Sequence, residues 1–216
     1  MQTKESAYEI ITSEETGLLQ EIMNIAFGRA AADLAEFIDI FVVLSVPQIK
    51  LLQIYDLPGY LHEEIKGGDR VSVVQQSFWG KFKGSAFLVF PAGSGRRIIS
   101  LFDVENKFFE VEPSIEVEKD TFLEVGNILI SACIGKIAEL LGDVITYSPP
   151  RVVIDQSLRG VVYDNMNDPD NLAIVLRTVF EFNQKNVSGY MFIITKQESF
   201  TWLKAALHRF LAQYDA

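Results

Sequence analysis

Two short segments of the chain place a carboxylate and a carboxamide three residues apart. They are Glu21–Asn24 and Glu124–Asn127, and in both cases 22 residues separate the asparagine from a proline, Pro47 or Pro150. Side chains three residues apart share one face of an α-helix, and a carboxamide can accept a hydrogen bond from water while donating elsewhere. The spacing therefore predicts one small polar device, displayed twice, that suits aiming a water molecule or binding a partner.

The simpler interpretation of either segment is the solvent-facing side of an amphipathic helix. The second copy favours a functional site, because matching positions of the two copies differ by 103 residues throughout. A structural repeat could also preserve this spacing without chemistry, so the pattern alone leaves both interpretations open. The copies differ four residues before the glutamate, where the first has Gly17 and the second has Asp120.

The elements that must carry these residues follow from hydrophobic periodicity. A helix is predicted over 12–38, beginning at a capping box at Thr12, and a second helix from about 117 to 142. The apolar run 41–46 predicts a strand, and another strand is predicted after Pro150. Further strands are predicted over 71–79, 82–90, 172–182 and 187–195, and further helices over 95–103 and 198–213.

The same order of elements occurs in both halves of the chain. We predict two αβββα-type internal repeats, about 12–103 and 117–213, joined by the acidic segment 109–119 and forming a single domain over 1–216. A period of about 100 residues is far longer than that of solenoid repeats. Two copies are better interpreted as a fused pseudo-dimer, in which each half covers the apolar face of the other.

The composition excludes several classes of function. The net charge of −10 and the isoelectric point near 4.7 argue against a nucleic-acid surface, which needs clustered Lys and Arg, and against anionic membranes. No stretch approaches the ~18 uncharged apolar residues of a membrane-spanning helix. The first residues lack the pattern of a secretory signal. We therefore expect a cytoplasmic protein with no membrane insertion and no nucleic-acid partner.

Other residues that could in principle bind a ligand or react do not form a recognisable site in the sequence. His62 and His208 are distant in sequence and have no ligand-like spacing. Residues 91–97 lack the Gly-Lys-Ser/Thr ending of a phosphate loop, and the polar segment 164–170 departs from the calcium-loop pattern and predicts a solvated loop. Cys133 is the only cysteine and lies among apolar residues, so we expect a buried, inert thiol. No metal site is predicted in this chain.

The arrangement Asp-x3-Glu-x2-Asn-x22-Pro resembles the signature of the CheC, CheX and FliY family of bacterial chemotaxis phosphatases. The second copy matches it completely and the first matches it apart from Gly17, which stands where Asp or Ser is expected. The matching residues are Asp120, Glu124, Asn127 and Pro150 in the second copy, and Glu21, Asn24 and Pro47 in the first. Two copies in one chain are similar to CheC, whereas CheX carries one copy and dimerises.

The resemblance implies a pseudo-twofold α+β fold of the CheC type, in which the motif helices pack on a largely antiparallel sheet. It also implies hydrolysis of the aspartyl phosphate of a CheY-like receiver. Glu21 and Glu124 would pair with a receiver Lys, and Asn24 and Asn127 would orient the attacking water. Asp120, Pro47 and Pro150 would support the sites.

In such a reaction the receiver supplies the phosphorylated Asp and the bound Mg²⁺, so this chain needs no cofactor of its own. The resemblance further implies CheD, a receptor-modifying deamidase, as a candidate partner. An alternative of a different class remains: a non-catalytic adaptor that binds the receiver, or a relative of the flagellar switch proteins. Glu and Asn in both copies favour the enzyme.

Overall fold

The computed structural model describes residues 11–38, 41–65, 70–102, 114–157, 172–182 and 187–214. The described part consists of helices and one sheet. Its helices are α1 (Ser13–Ile38), α2 (Leu57–Glu64), α3 (Gly95–Phe102), α4 (Ile115–Leu141) and α5 (Phe200–Tyr214), with short 3-10 turns at Ile54–Asp56 and Gln197–Ser199. Its strands are β1 (Val42–Leu44), β2 (Gln48–Gln53), β3 (Arg70–Trp79), β4 (Gly84–Pro91), β5 (Thr146–Tyr147), β6 (Arg151–Ser157), β7 (Leu172–Phe182) and β8 (Val187–Lys196).

All eight of these strands form one antiparallel sheet. The order is β1-β7-β8-β4-β3-β5, with β2 also paired to β7 and β6 also paired to β3. The two halves meet at the β4–β8 pair, where Phe87 lies opposite Phe192. Exchanging the halves maps the β4–β8 pairing onto itself and each other pairing onto its counterpart in the other half, so the sheet has a pseudo-twofold axis at its centre. The prediction of an α+β fold with a shared antiparallel sheet is confirmed.

The two long helices, α1 and α4, lie on one face of this sheet. Phe122 of α4 packs on Phe90 of β4, with ring centroids 4.9 Å apart. Half of the most apolar window of α4 is buried inside the protein, which accounts for a helix that is long and apolar enough to cross a membrane by length and composition. The apolar sides of both helices thus form the core, and their polar stripes face away from it.

The two helices run antiparallel to each other. Ion pairs join Arg29 to Glu139 (4.0 Å) and Asp33 to Lys136 (3.0 Å), so the residue number falls along α4 as it rises along α1. Both motifs lie on the N-terminal side of these contacts. They are therefore displayed towards opposite ends of the helix pair.

The helix ends explain most of the predicted boundaries. The Thr12 N–H donates to the Glu15 carboxylate (2.8 Å) and the Glu15 N–H donates to the Thr12 hydroxyl (3.1 Å), which confirms the predicted capping box. Ser114 caps α4, and Gly142, in the left-handed region at φ 69°, ends it. The helix begins two residues earlier than predicted, within the segment assigned as a linker.

Two further differences concern short elements. The strand predicted over 41–46 ends at Leu44, and the chain re-enters the sheet as β2 after Pro47. The helix α2, whose first turn contains Pro58, was not predicted because only eight residues carry its pattern. It covers the other face of the sheet with Leu57 and Leu61, both buried. The predicted loop 164–170 and residues 109–113 of the predicted linker lie outside the described residues.

Candidate functional site

The four motif side chains all reach solvent, although the helices that carry them are half-buried in the core. Glu21 and Asn24 on α1 are exposed, as are Glu124 and Asn127 on α4. Their sequence neighbours are buried, and Ile22 and Met23, for example, are 0% exposed. Residues three apart on an α-helix are about 4.5 Å apart along its axis, so each Glu/Asn pair presents one compact polar surface on a rigid support.

The carboxylates of these surfaces have no intramolecular partner among the residues that the structure describes. Neither Glu21 nor Glu124 makes a salt bridge or a hydrogen bond there, and the same holds for the exposed Asp120. An exposed carboxylate without a neutralising neighbour is available to a cation on another molecule. The surface of the second copy carries two such groups one helical turn apart.

The Asn127 carboxamide, in contrast, is held from below. Gln76 of β3 is 2% exposed and its side-chain N–H₂ donates to the Asn127 oxygen (3.2 Å) and to the Ser148 carbonyl (2.9 Å). Ser148 precedes Pro149 and the motif residue Pro150. A hydrogen-bonded chain thus joins the motif helix, the sheet and the loop that ends at the motif proline.

A glycine in α4 permits this contact. A Cβ atom on Gly126 would lie 2.4 Å from a methyl carbon of Val74 in β3, closer than any side chain allows. The helix backbone therefore rests directly on the strand at the residue before Asn127. Because of this close approach, a side chain of β3 reaches the helix carboxamide.

The first copy lacks both features. Met23, which is fully buried, stands where the second copy has Gly126. Thr178 of β7 occupies the position of Gln76 in the pseudo-twofold, and its hydroxyl donates to the Ser45 carbonyl (2.6 Å) as Gln76 does to Ser148. Among the described residues, nothing hydrogen-bonds the Asn24 side chain. Its carboxamide is placed by the helix alone.

The two prolines have corresponding positions in the sheet. Pro47 immediately precedes β2 and Pro150 immediately precedes β6, and the serine two residues before each proline donates its N–H to a carbonyl of β7 or β3. Proline fixes φ and has no N–H to place, which suits a loop that passes from one strand pairing to the next. Pro47 is buried and Pro150 is half-buried.

The polar stripe of α4 does not stay open along its length. The Tyr147 hydroxyl donates to the Ser131 carbonyl (3.4 Å) and lies beside Gly135. Burial raises the pKa of Tyr147 above its usual range, so this hydroxyl stays protonated. Two residues after Ser131, burial raises the pKa of the Cys133 thiol to about 12, and this fully buried thiol is not a nucleophile at neutral pH.

Other candidates lie apart from these surfaces. His62 and His208 are exposed and belong to different helices, α2 and α5. Within the described part of the chain, no group of three or more His, Cys, Asp or Glu side chains could hold a metal ion. The turn 91–95 joins β4 to α3 and is closed by the Ser94 hydroxyl, which donates to the Pro91 carbonyl (2.8 Å).

Sequence reasoning missed Gln76, Gly126 and Ser148. Gly126 carried a readable signal, because a glycine inside a helix costs about 1 kcal/mol relative to alanine and therefore asks for a packing reason. Gln76 carried a weaker one, as a polar residue at a position of β3 whose alternation points to the core. The hydrogen bond between residues 51 positions apart had no sequence signal.

Known proteins similar to this chain agree with this architecture. CheY-P phosphatase CheC of Bacillus subtilis (strain 168) is 26% identical over 211 residues, which cover 94% of this chain and 98% of that protein. The FliY structure of Thermotoga maritima superposes with a TM-score of 0.68 at 19% identity and covers 92% of this chain and 98% of its own. The FliM middle domain of H. pylori gives 0.58 at 11% identity, covering 91% and 99%. No protein-family model matches the chain.

The fold of this chain is the pseudo-twofold α+β fold found in the FliY and FliM structures. In this chain, both halves of the fold carry an exposed Glu and an exposed Asn. The similarity to CheC extends along nearly the whole of both chains. The chain is similar to CheC in sequence and to FliY in fold, which supports its placement with the CheC/CheX/FliY family of chemotaxis proteins.

Proposed function

We propose that this protein hydrolyses the aspartyl phosphate of CheY or a similar receiver. The observation that carries the proposal is the exposure of both Glu/Asn pairs on helices that are otherwise anchored in the core. The CheC similarity along nearly the whole chain supports the same reaction. In this proposal Glu21, Asn24, Glu124 and Asn127 act on the receiver, and Asp120, Pro47 and Pro150 support them.

Each residue type suits its role. A carboxylate that has no partner within the chain can pair with the receiver's Lys and fix the docking geometry. A carboxamide has two N–H donors and an acceptor oxygen, so it can hold a water molecule in line with the scissile bond. Phosphoryl transfer depends mainly on positioning and on charge stabilisation, and neither requires a nucleophile from this chain.

The proposed hydrolysis needs only water and groups of the receiver as reactants. The water oxygen bonds to phosphorus as the bond from phosphorus to the receiver's aspartyl oxygen breaks, which releases the free Asp carboxylate. A water proton passes to the departing phosphate. A Mg²⁺ ion on the receiver would neutralise charge on the phosphoryl oxygens, and this chain contributes orientation, which can lower a barrier by several kcal/mol.

A non-catalytic role is the second candidate. The FliM middle domain shares the fold with a TM-score of 0.58, which supports an adaptor or switch-like protein that binds a receiver without hydrolysis. The polar pairs in both halves favour the enzyme, since binding alone does not call for a carboxamide beside each carboxylate. A cytoplasmic location and CheD as a further partner complete the proposal.

The test follows phosphate release from a phosphorylated CheY-like receiver with and without the protein. The wild-type protein is expected to accelerate the decay, and Asn24→Ala/Asn127→Ala is expected to leave the intrinsic rate while still binding the receiver. If the double variant accelerates decay as well as the wild type, the role assigned to the asparagines is wrong. Binding by the wild type without acceleration selects the adaptor.

A further inference from the structure

Gln76 is the one buried side chain in the described part of the chain that hydrogen-bonds a motif asparagine. It projects from β3 towards α4, is 2% exposed, and lies between the Asn127 oxygen (3.2 Å) and the Ser148 carbonyl (2.9 Å). Both of these atoms are contacted by the same nitrogen of Gln76. Nothing in the sequence motif includes this residue.

The chemistry of the three groups fixes their orientation. The Ser148 carbonyl can only accept a hydrogen bond, so the Gln76 amide must turn its N–H₂ group towards it. The same N–H₂ group then faces Asn127, which must in turn present its oxygen. As a result, the Asn127 N–H₂ group is directed away from Gln76, and its oxygen keeps one further lone pair for another donor.

The Ser148 carbonyl is itself held in a fixed place. The Ser148 N–H donates to the Ser77 carbonyl (2.9 Å), and the Ser77 N–H donates to the Ser148 hydroxyl (3.1 Å). Pro149 and Pro150 follow and restrict the loop further. Gln76 therefore connects the two ends of the Asn-x22-Pro motif, which gives the distant proline a physical link to the asparagine.

The two ends of the Gln76 carboxamide differ in their hydrogen bonding, since the nitrogen makes two bonds and the oxygen makes none within the described part of the chain. Its Oε1 atom is buried and has no hydrogen-bond partner among the residues that the structure describes, and an orphaned buried acceptor is destabilising relative to an apolar side chain of similar size. In the first half, Thr178 makes the equivalent bond to the Ser45 carbonyl with a short hydroxyl and leaves no orphaned atom. The longer Gln76 differs in reaching the asparagine.

We propose that Gln76 is a positioning residue for the second site, and that it orients the Asn127 carboxamide for the reacting water. This inference rests on the proposed phosphatase function and adds to it a residue outside the motif. Gln76 itself does not touch the receiver. Its contribution is to fix which face of the carboxamide meets the phosphoryl group, and the first site lacks it.

The kinetic test isolates the second site in an Asn24→Ala background. Gln76→Met, which keeps the volume without hydrogen bonds, is expected to lower kcat about tenfold and to leave KM for the phosphorylated receiver within about twofold, because the exposed Glu124 is untouched. The matched control is Thr178→Val in an Asn127→Ala background, where kcat is expected to stay unchanged. An unchanged kcat for Gln76→Met overturns the proposal.

The pH dependence of activity in Gln76→Glu is a further test, because a purely structural role of Gln76 would not change it. A protonated carboxyl can still donate one hydrogen bond, whereas an ionised carboxylate cannot. The activity of this variant is expected to fall as the pH rises through the pKa of the introduced carboxyl, and the wild type is expected to show no such limb. Parallel pH profiles for the two proteins contradict the proposal.

A measurement on the unmodified protein does not depend on folding of a variant or on activity. Side-chain ¹⁵N relaxation is expected to give the Asn127 carboxamide a higher order parameter than that of Asn24, because Gln76 restrains only the former. Equal values overturn the inference. If the wild type accelerates the dephosphorylation of no receiver, the proposed function is wrong. In that case the order parameters still test whether Gln76 restrains Asn127.

Discussion

The two halves of the molecule display the same motif at corresponding positions of α1 and α4, yet the motif asparagine is held differently in each half. In the second half, Gly126 lets the helix rest on Val74, and Gln76 reaches Asn127 from the strand below. In the first half, Met23 fills that space and Thr178 bonds only to backbone carbonyls. A matching spacing in sequence therefore does not make two equal sites. The approach of helix to sheet decides whether the carboxamide is restrained.

The largest effect is expected from reversing the charge of Glu124, the carboxylate that we propose docks the receiver. Measured in an Asn24→Ala background, Glu124→Lys should raise KM for the phosphorylated receiver roughly tenfold to hundredfold, because a lysine would then face the receiver's cation. Glu36→Lys is the matched control, an exposed glutamate on α1 away from the motif. Equal effects of the two substitutions would indicate a long-range charge effect and remove Glu124 from the site.

The packing of α4 and of α1 can be compared by replacing one glycine in each helix with alanine. Gly126→Ala should destabilise the fold by about 1–2 kcal/mol, since overpacking against Val74 exceeds the gain in helix propensity. Gly28→Ala in α1 meets nothing within 4 Å and should stabilise by about 0.5–1 kcal/mol. Urea unfolding of both variants measures the difference. The same sign for both would contradict the close approach of α4.

The first site can be made more like the second at Gly17. A side chain added there meets no atom within 4 Å, so Gly17→Asp should be accommodated and should place a second carboxylate one turn before Glu21. In an Asn127→Ala background we expect KM to fall by a factor of about 2–5. Gly17→Ala separates this effect from helix propensity. A KM that falls equally in both variants assigns the change to the helix.

The N-termini of α1 and α4 also differ, and the dependence of stability on acidic pH should show the contribution of the α1 N-terminus. At the start of α1, burial would raise the pKa of Glu15, but the Thr12 N–H and the Lys204 ammonium outweigh it and lower the pKa. A depressed carboxyl pKa stabilises the fold above the unfolded-state pKa, near 4.3, and this contribution is lost as the pH falls through the folded-state value. Glu15→Gln should therefore lose less stability than the wild type between about pH 5 and 3, measured by thermal unfolding.

Much of the fold was predictable from sequence because its signals are local. The capping box at Thr12 and the apolar periodicity of α1 and α4 are properties of neighbouring residues, and the repeated order of elements predicted the pseudo-twofold. The exposed positions of the motif side chains follow from the same helical periodicity. Their catalytic roles stay a prediction.

The rest depends on residues that meet only after folding. Gln76 and Asn127 are 51 positions apart, and their contact depends on the strand register and on the missing side chain of Gly126 together. The split of the predicted strand at Pro47 likewise follows from two separate pairings with β7. No single window of sequence contains these facts.

The most direct test of the account compares the two sites one at a time. The rate of receiver dephosphorylation is measured at saturating protein for Asn24→Ala, which leaves the second site, and for Asn127→Ala, which leaves the first. The restrained carboxamide should be the more effective, so Asn24→Ala is expected to keep most of the wild-type rate and Asn127→Ala to lose most of it. Equal rates for the two variants, or the reverse order, would contradict the account.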